Sequence, residues 1–441
     1  MTGKIVNILK KYFRWIEIAC VFAVCAALLS GAFLAAAGQK EILLAGAYSA
    51  FAVICAAVTW RMRERLYKAK AAARIAYVMA LAFAVRFFVL FFLNLTQGGD
   101  YGVYLSIARK ISSGSFTKTF YYGVFPHALN YPIFISGLYR LASGSLPRLP
   151  QLVNLTLGVL EAGCAAAVAE ISVHRRFGLF AGLAAALNPC MIIFTLFAGG
   201  EPVYGALIMA ALLFFIRVYG KNGKIRLLYA AFSGLACALA NFFRPTGIIF
   251  IIAAFIVLAV FDKNNLKAKL ALSAVLIVSY AAAVFFLGWL TSSVSGYEKP
   301  SPSYGWNLFI GANKESKGTW NAADAELFNE KVKEYEDPSE LQSYFAGLGM
   351  ERYREMKKGL PAHFINKIAL WFDESFITNS VTGWQNDFTR FQSGGMAQTY
   401  KLICYFYNLS MIFGAMAAMI HMETSKETAP GLKLASLYML G

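Results

Sequence analysis

The stretch Ile75–Asp100, IAYVMALAFAVRFFVLFFLNLTQGGD, decides the fold. From Ile75 to Leu95 it is an apolar run that carries a single charge, Arg86. A hydrocarbon core of about 30 Å takes roughly 20 apolar residues of helix, so the run reads as a membrane span. Gly98 and Gly99 then allow the backbone to turn sharply. Asp100 stands where the span meets water, and a polar, flexible stretch follows through Tyr101, Tyr104, Arg109 and Lys110. An acid at that boundary, beside cationic side chains, is placed to activate a hydroxyl next to a lipid-borne phosphate.

The rest of the chain agrees with a membrane reading. Its 441 residues are 58% hydrophobic, and the mean hydropathy is +0.54. Further spans are predicted at Trp15–Ala37, Ile42–Trp60, Leu152–Glu170, Phe177–Phe197, Val203–Tyr219, Leu227–Phe243, Thr246–Phe261, Leu270–Leu290 and Leu402–Ile420. Another run begins at Leu434. The expected fold class is an all-α polytopic membrane protein with about ten to eleven transmembrane helices. Trp15–Ala37 is longer than a signal-peptide core and reads as a retained span. Leu227–Phe261 is divided at Arg244-Pro245, because proline opposes helix continuation and arginine is costly at mid-bilayer.

A formal charge of +17 would suggest a nucleic-acid partner if the basic residues clustered on a soluble domain. They do not; many lie instead in short loops between apolar runs, such as Arg61–Arg74, Arg217–Arg226 and Lys263–Lys269. Basic loops of this kind mark the cytoplasmic side. The amino terminus is therefore expected inside, with 97–151, 198–202 and 291–401 outside. The loop 97–151 is itself basic, and an outward basic surface calls for an anionic partner. The cysteines all fall inside apolar runs without metal-ligand spacing, as buried small hydrophobes do.

Four regions follow. Residues 1–74 hold two accessory spans, and 75–290 form the membrane core with its first outer loop at 97–151. Residues 291–401 form a small, mostly helical extracytoplasmic insert, with Asn321–Met356 helical and a stop at Gly359-Leu360-Pro361. Residues 402–441 carry the last spans. The chain stops at Gly441 just as an apolar run begins, so a carboxy-terminal truncation is expected.

Asp100 is the first catalytic candidate, against the plainer reading of a solvated acid at a helix end. Glu201, in Gly199-Gly200-Glu201-Pro202, is the second: an acid in another outward turn, or simply the polar residue that a short loop needs. Arg244 ends a span, where a guanidinium can fork onto phosphate oxygens or snorkel to headgroups. Arg109, Lys110 and Tyr101 are further candidates for substrate contact, and His127 for proton transfer. Asp100 is also a candidate ligand for a divalent metal. Arg86 and Glu161, both inside spans, can brace each other. The aromatic stretch Tyr121–Pro132 suits a helix in the interface plane. No GxxxxGK(S/T) loop, dinucleotide fingerprint or HExxH motif occurs, so a donor already in the membrane is expected in place of a soluble nucleotide.

Several stretches together resemble the dolichyl-phosphate-mannose–protein mannosyltransferase-like family (glycosyltransferase family 39, with the C-type glycosyltransferase membrane fold). They are Gly98-Gly99-Asp100-Tyr101 with Tyr104–Ala108, Asn130-Tyr131-Pro132 with Leu138-Tyr139, Asn188-Pro189 through Glu201-Pro202, Phe243-Arg244-Pro245, and Tyr304–Asn307 with Gly318–Asn321. The resemblance spans roughly 86–420. It implies a polyprenyl-phosphate sugar donor and a catalytic or metal-binding acid at Asp100. It also implies phosphate-binding arginines, with Arg244 first and Arg109 second. Many relatives carry a second acid beside the first; here Tyr101 takes that place, and Glu201 becomes the candidate partner. A polysaccharide polymerase or ligase using diphosphate-linked glycans is the alternative, and a lipid or solute transporter a further one.

Overall fold

A computed structural model describes residues 61–62, 64–92, 97–142, 148–219, 223–262, 265–297, 304–371, 407 and 434. The predicted spans Trp15–Ala37, Ile42–Trp60 and Leu402–Ile420, and the run from Leu434, lie outside the described residues or touch them at single positions. Among the described residues every regular element is helical and there is no strand.

The membrane core starts with α1 (Ala71–Phe92). The segment that follows contains α2 (Gly99–Ser112), α3 (Phe120–Val124) and α4 (His127–Leu141). Then come α5 (Leu149–Ser172), α6 (Arg175–Ala186), α7 (Pro189–Phe194), α8 (Glu201–Arg217), α9 (Gly223–Phe243), α10 (Gly247–Ile256) and α11 (Leu266–Ser295). Of these, α1, α5, α9 and α11 are long and apolar enough to cross a membrane. On α1, Phe83, Phe87 and Phe91 stack along one exposed face. Phe285, Phe286 and Trp289 are likewise exposed on α11, with the Phe286 and Trp289 rings 5.8 Å apart. Continuous apolar surface of this kind is not left to water; it marks a lipid bilayer as the surroundings of these helices.

Two stretches depart from the expected outline. The stretch after Asp100 is the helix α2, not a flexible polar segment. The run Phe177–Phe197 is not one span: α6 ends at Ala186 and α7 starts at Pro189. A residue before proline is pushed out of the helical region. Asn188 accordingly takes an extended conformation and caps α7 by accepting the Met191 N–H at 3.2 Å. The division at Arg244-Pro245 is present, between the end of α9 and the start of α10. There the Gly247 N–H donates to Asn241 Oδ1 at 3.1 Å, and the Cys237 thiol to Gly247 O at 3.1 Å.

Packing follows chain order. Helix α9 lies against α8 and α11, and α5 against α1, α6 and α8. Gly234 lets α9 and α11 touch, because an added Cβ there would collide with Ser279 and the Leu276 carbonyl. Small residues serve this purpose where no hydrophobic drive separates helix from lipid. Arg86 is buried and donates to the Ala186 and Ala185 carbonyls at 2.9 and 3.4 Å. Its charge thus meets the negative end of α6.

The insert after α11 contains α12 (Tyr304–Gly311), α13 (Ala322–Lys331), α14 (Pro338–Met356) and α15 (Leu360–Trp371). Its helical content over Asn321–Met356 is as expected. Gly359-Leu360-Pro361 does not end the helical region, since a single 3-10 turn, Lys357–Gly359, leads straight into α15. Phe309, Phe328, Leu341 and Phe345 form its core together with Val124 and Phe125 from the α3 region. Gln342 strengthens that junction by donating to Val124 O at 3.1 Å and accepting the Trp306 N–H at 2.9 Å. The insert is therefore anchored on the α3 region.

Candidate functional site

The site forms where the ends of α2, α8 and α9 come together. Gly98 caps α2 in an extended conformation, and Gly99 has φ +53. This left-handed turn costs glycine little and other residues more. It places Asp100 in the first turn of α2, exposed to solvent, with Tyr101 turned inward and buried.

Gln97, just ahead of this turn, is a clamp. Its side chain donates to Leu196 O at 2.8 Å and accepts the Ala198 N–H at 2.7 Å. Both partners belong to the segment that leads from α7 into α8. Asn154 on α5 supports the same segment by donating to Phe197 O at 2.6 Å. The Tyr101 ring lies 4.8 Å from the Phe197 ring. At Gly199 an added Cβ would come within 2.7 Å of the Tyr101 ring and collide with the Glu201 carboxylate. Asp100 and Glu201 are thus brought to one surface although a hundred residues separate them.

Glu201 is the first residue of α8, where the helix dipole favours a negative charge, and it forms an ion pair with Arg244. The Tyr204 and Thr246 hydroxyls meet at 2.8 Å beside it. The end of α9 is fixed from its other flank by Asn130 on α4, which donates to Phe242 O at 2.5 Å and accepts from Thr291 of α11 at 2.8 Å.

The electrostatics tie these groups together. Burial, then the negative charge of Glu201, raises the pKa of Tyr101, while Arg244 lowers it in part. Burial and then Asp100 and Glu201 act in the same direction on Tyr104, again offset by Arg244. Tyr121 is raised by burial and then by Asp100. These phenols stay protonated and serve as hydroxyl donors. Burial of the His127 ring, followed by the positive charge of Arg244, pushes its pKa down to about 4. Asp100, Glu201, Arg244, Tyr101 and His127 therefore share one electrostatic neighbourhood, which Tyr104 and Tyr121 complete.

Arg109 and Lys110 do not join it. They lie exposed in the last turn of α2. A rise of about 1.5 Å per residue puts them roughly 13 Å or more along the helix from Asp100. Their side of the expectation assumed an open loop that could fold back, and a helix cannot. Gln97, Tyr204 and Asn154 take structural places at the site that no motif announces, and Tyr104 and Tyr121, read from the sequence only as parts of longer stretches, join them. A Gln beside a Gly-Gly turn is the one local hint.

The donor set suits a held anion better than a held cation. Among the described residues no three His, Cys, Asp or Glu side chains converge. Arg244 already engages the Glu201 carboxylate. A divalent metal held by the described residues would have to displace Arg244 or rest on Asp100 alone, so those residues do not fit one. What the site offers is an exposed acid, a half-exposed guanidinium and a wall of neutral phenols. No protein family, curated protein or solved structure matches this chain.

Proposed function

We propose that this chain is a membrane glycosyltransferase that moves a sugar from a polyprenyl-phosphate-linked donor to an acceptor hydroxyl, with inversion. In this reading the protein is a multi-pass component of the cell membrane with about ten to eleven spans. Its amino terminus is cytoplasmic, its site is extracytoplasmic, and its donor enters sideways from the lipid. The observation that carries the reading is the meeting of Asp100, Glu201 and Arg244 around Tyr101 and Tyr104. The resemblance to the family 39 mannosyltransferase-like proteins supports it from the sequence.

The chemistry follows from the residue types. Asp100 accepts the proton of the acceptor hydroxyl as its oxygen attacks the anomeric carbon. The bond from that carbon to the phosphate oxygen breaks, and the phosphate departs with the electron pair. Arg244 stabilises the growing negative charge at the departing oxygen, where a fixed charge is worth most. The Tyr101 and Tyr104 hydroxyls donate to sugar or phosphate oxygens. His127 stays neutral and contributes hydrogen bonds only.

The test is sugar transfer by the purified protein in detergent, with monophosphate- and diphosphate-linked polyprenyl sugars offered side by side. Transfer from the monophosphate donor is expected. Transfer from the diphosphate donor alone would indicate a polymerase or ligase. No transfer from either donor would return the chain to the transporter class, which needs a sealed compartment to act.

A further inference from the structure

The two halves of the Glu201–Arg244 pair are held very differently. Glu201 is fixed in place. It opens α8 beside Pro202, its carboxylate lies against Gly199, and its Oε2 is buried without a hydrogen-bond partner among the described residues. Arg244 sits in the break between α9 and α10, and its side chain is 54% exposed. The guanidinium is the half that can move, and it faces the open side of the site.

An arginine already neutralised by a carboxylate is a poor resting attractant for an anion. A phosphate arriving at this site has to compete with Glu201 for the guanidinium. It competes well, because it offers several oxygens to a planar fork. It meets little resistance from an ion pair that is open to solvent on its Arg side. From this geometry we infer that Glu201 is a counter-ion latch. It holds Arg244 in the empty site, yields it to the phosphate of the lipid-linked donor, and takes it back as the freed lipid phosphate leaves. The inference rests on the reading of the site as one for a polyprenyl phosphate, and it assigns Glu201 a gating role in place of proton transfer. Glu201 thus lowers the affinity for donor and product alike, and it speeds product release.

The test is binding of farnesyl phosphate, a short polyprenyl monophosphate, to the full chain in nanodiscs. Four variants are compared with the unaltered protein: Glu201→Gln, Glu201→Asp, Arg244→Gln and the Glu201→Gln/Arg244→Gln double substitution. Freeing Arg244 in Glu201→Gln should tighten binding about 1.5-fold to fivefold, the range expected of a partly exposed ion pair. Glu201→Asp keeps the charge at the helix start but shortens its reach, and it should tighten binding by less. It also carries the test if the Gln variant does not fold. Arg244→Gln should weaken binding, and adding Glu201→Gln to it should change nothing further. Binding that is unchanged or weaker in the Glu201 variants, with Arg244→Gln still impaired, overturns the latch and leaves the phosphate site standing. Equal binding by Arg244→Gln and the unaltered protein overturns the phosphate site and the latch together.

Discussion

The Gln97 side chain accepts the Ala198 N–H at 2.7 Å. With its second bond, to Leu196 O at 2.8 Å, it joins the turn before Asp100 to the turn before Glu201. One amide therefore sets the spacing of the two acids on which the proposed chemistry depends.

Gln97→Leu removes both bonds, so the Ala198 N–H loses its partner and Leu196 O keeps only the longer bond from Gln151 Nε2 at 3.5 Å. A buried group left unpaired costs about 1–3 kcal/mol. The variant should unfold at lower temperature in detergent, and its transfer rate should fall by more than the loss of folded protein explains. An unchanged midpoint would show that the clamp is dispensable.

Asn130 is the corresponding fixture under Arg244, with Phe242 O on one side and Thr291 on the other. Asn130→Ala should cost about 2–3 kcal/mol, as two buried hydrogen bonds are lost and the carbonyl at the end of α9 is stranded. Thr291→Val should cost less. The double variant should be less destabilised than the two effects added, because both substitutions break the same bond. Strict additivity in thermal or denaturant unfolding would contradict the shared network.

Burial and the nearby Arg244 hold the His127 pKa at about 4. The ring is therefore neutral across pH 5–8 and takes up its proton only as pH falls towards 4. His127→Gln should leave the shape of the pH–rate profile between pH 5 and 8 unchanged, whatever it does to the absolute rate. Loss of a limb near pH 6 in that variant would show instead that the imidazole titrates in the working range.

In the insert after α11, Asp324 receives hydrogen bonds from Arg352 at 2.7 and 3.0 Å, from Asn321 at 2.7 Å and from Asn313 at 2.9 Å. Burial opposes ionisation, but these bonds prevail and hold the carboxyl below its ordinary pKa. A lowered folded-state value gives stability that is present above the unfolded pKa of about 4 and is lost as pH falls further. Arg352→Met should cost about 2–3 kcal/mol near pH 7 through the lost bonds to a charged group. That difference from the unaltered protein should shrink on acidification to pH 3. A gap that widens on acidification would reverse the sign assigned here.

The residues themselves announce parts of this fold and conceal others. The break at Arg244-Pro245 is legible because two independent physical costs, a missing N–H and a charge at mid-bilayer, fall on adjacent positions. Asn188-Pro189 carries the same proline signal, yet the apolar residues on either side run on from Phe177 to Phe197, and hydropathy alone reads through the break. The turn at Gly98-Gly99 and the acid after it are legible from local chemistry. That Arg109 and Lys110 are carried away from Asp100 is not, since nothing in their polarity distinguishes a helix from a loop. The pairings of Gln97 with Ala198 and of Glu201 with Arg244 connect distant residues through backbone atoms or a single charge, and tertiary packing alone brings them together.

The most direct measurement is the turnover of Asp100→Asn with a polyprenyl-phosphate sugar, on protein whose melting temperature matches that of the unaltered chain. General-base assistance is typically worth about 10²- to 10⁴-fold, so the account predicts a loss of at least about a hundredfold with farnesyl phosphate still bound. Near-normal turnover by Asp100→Asn would contradict it.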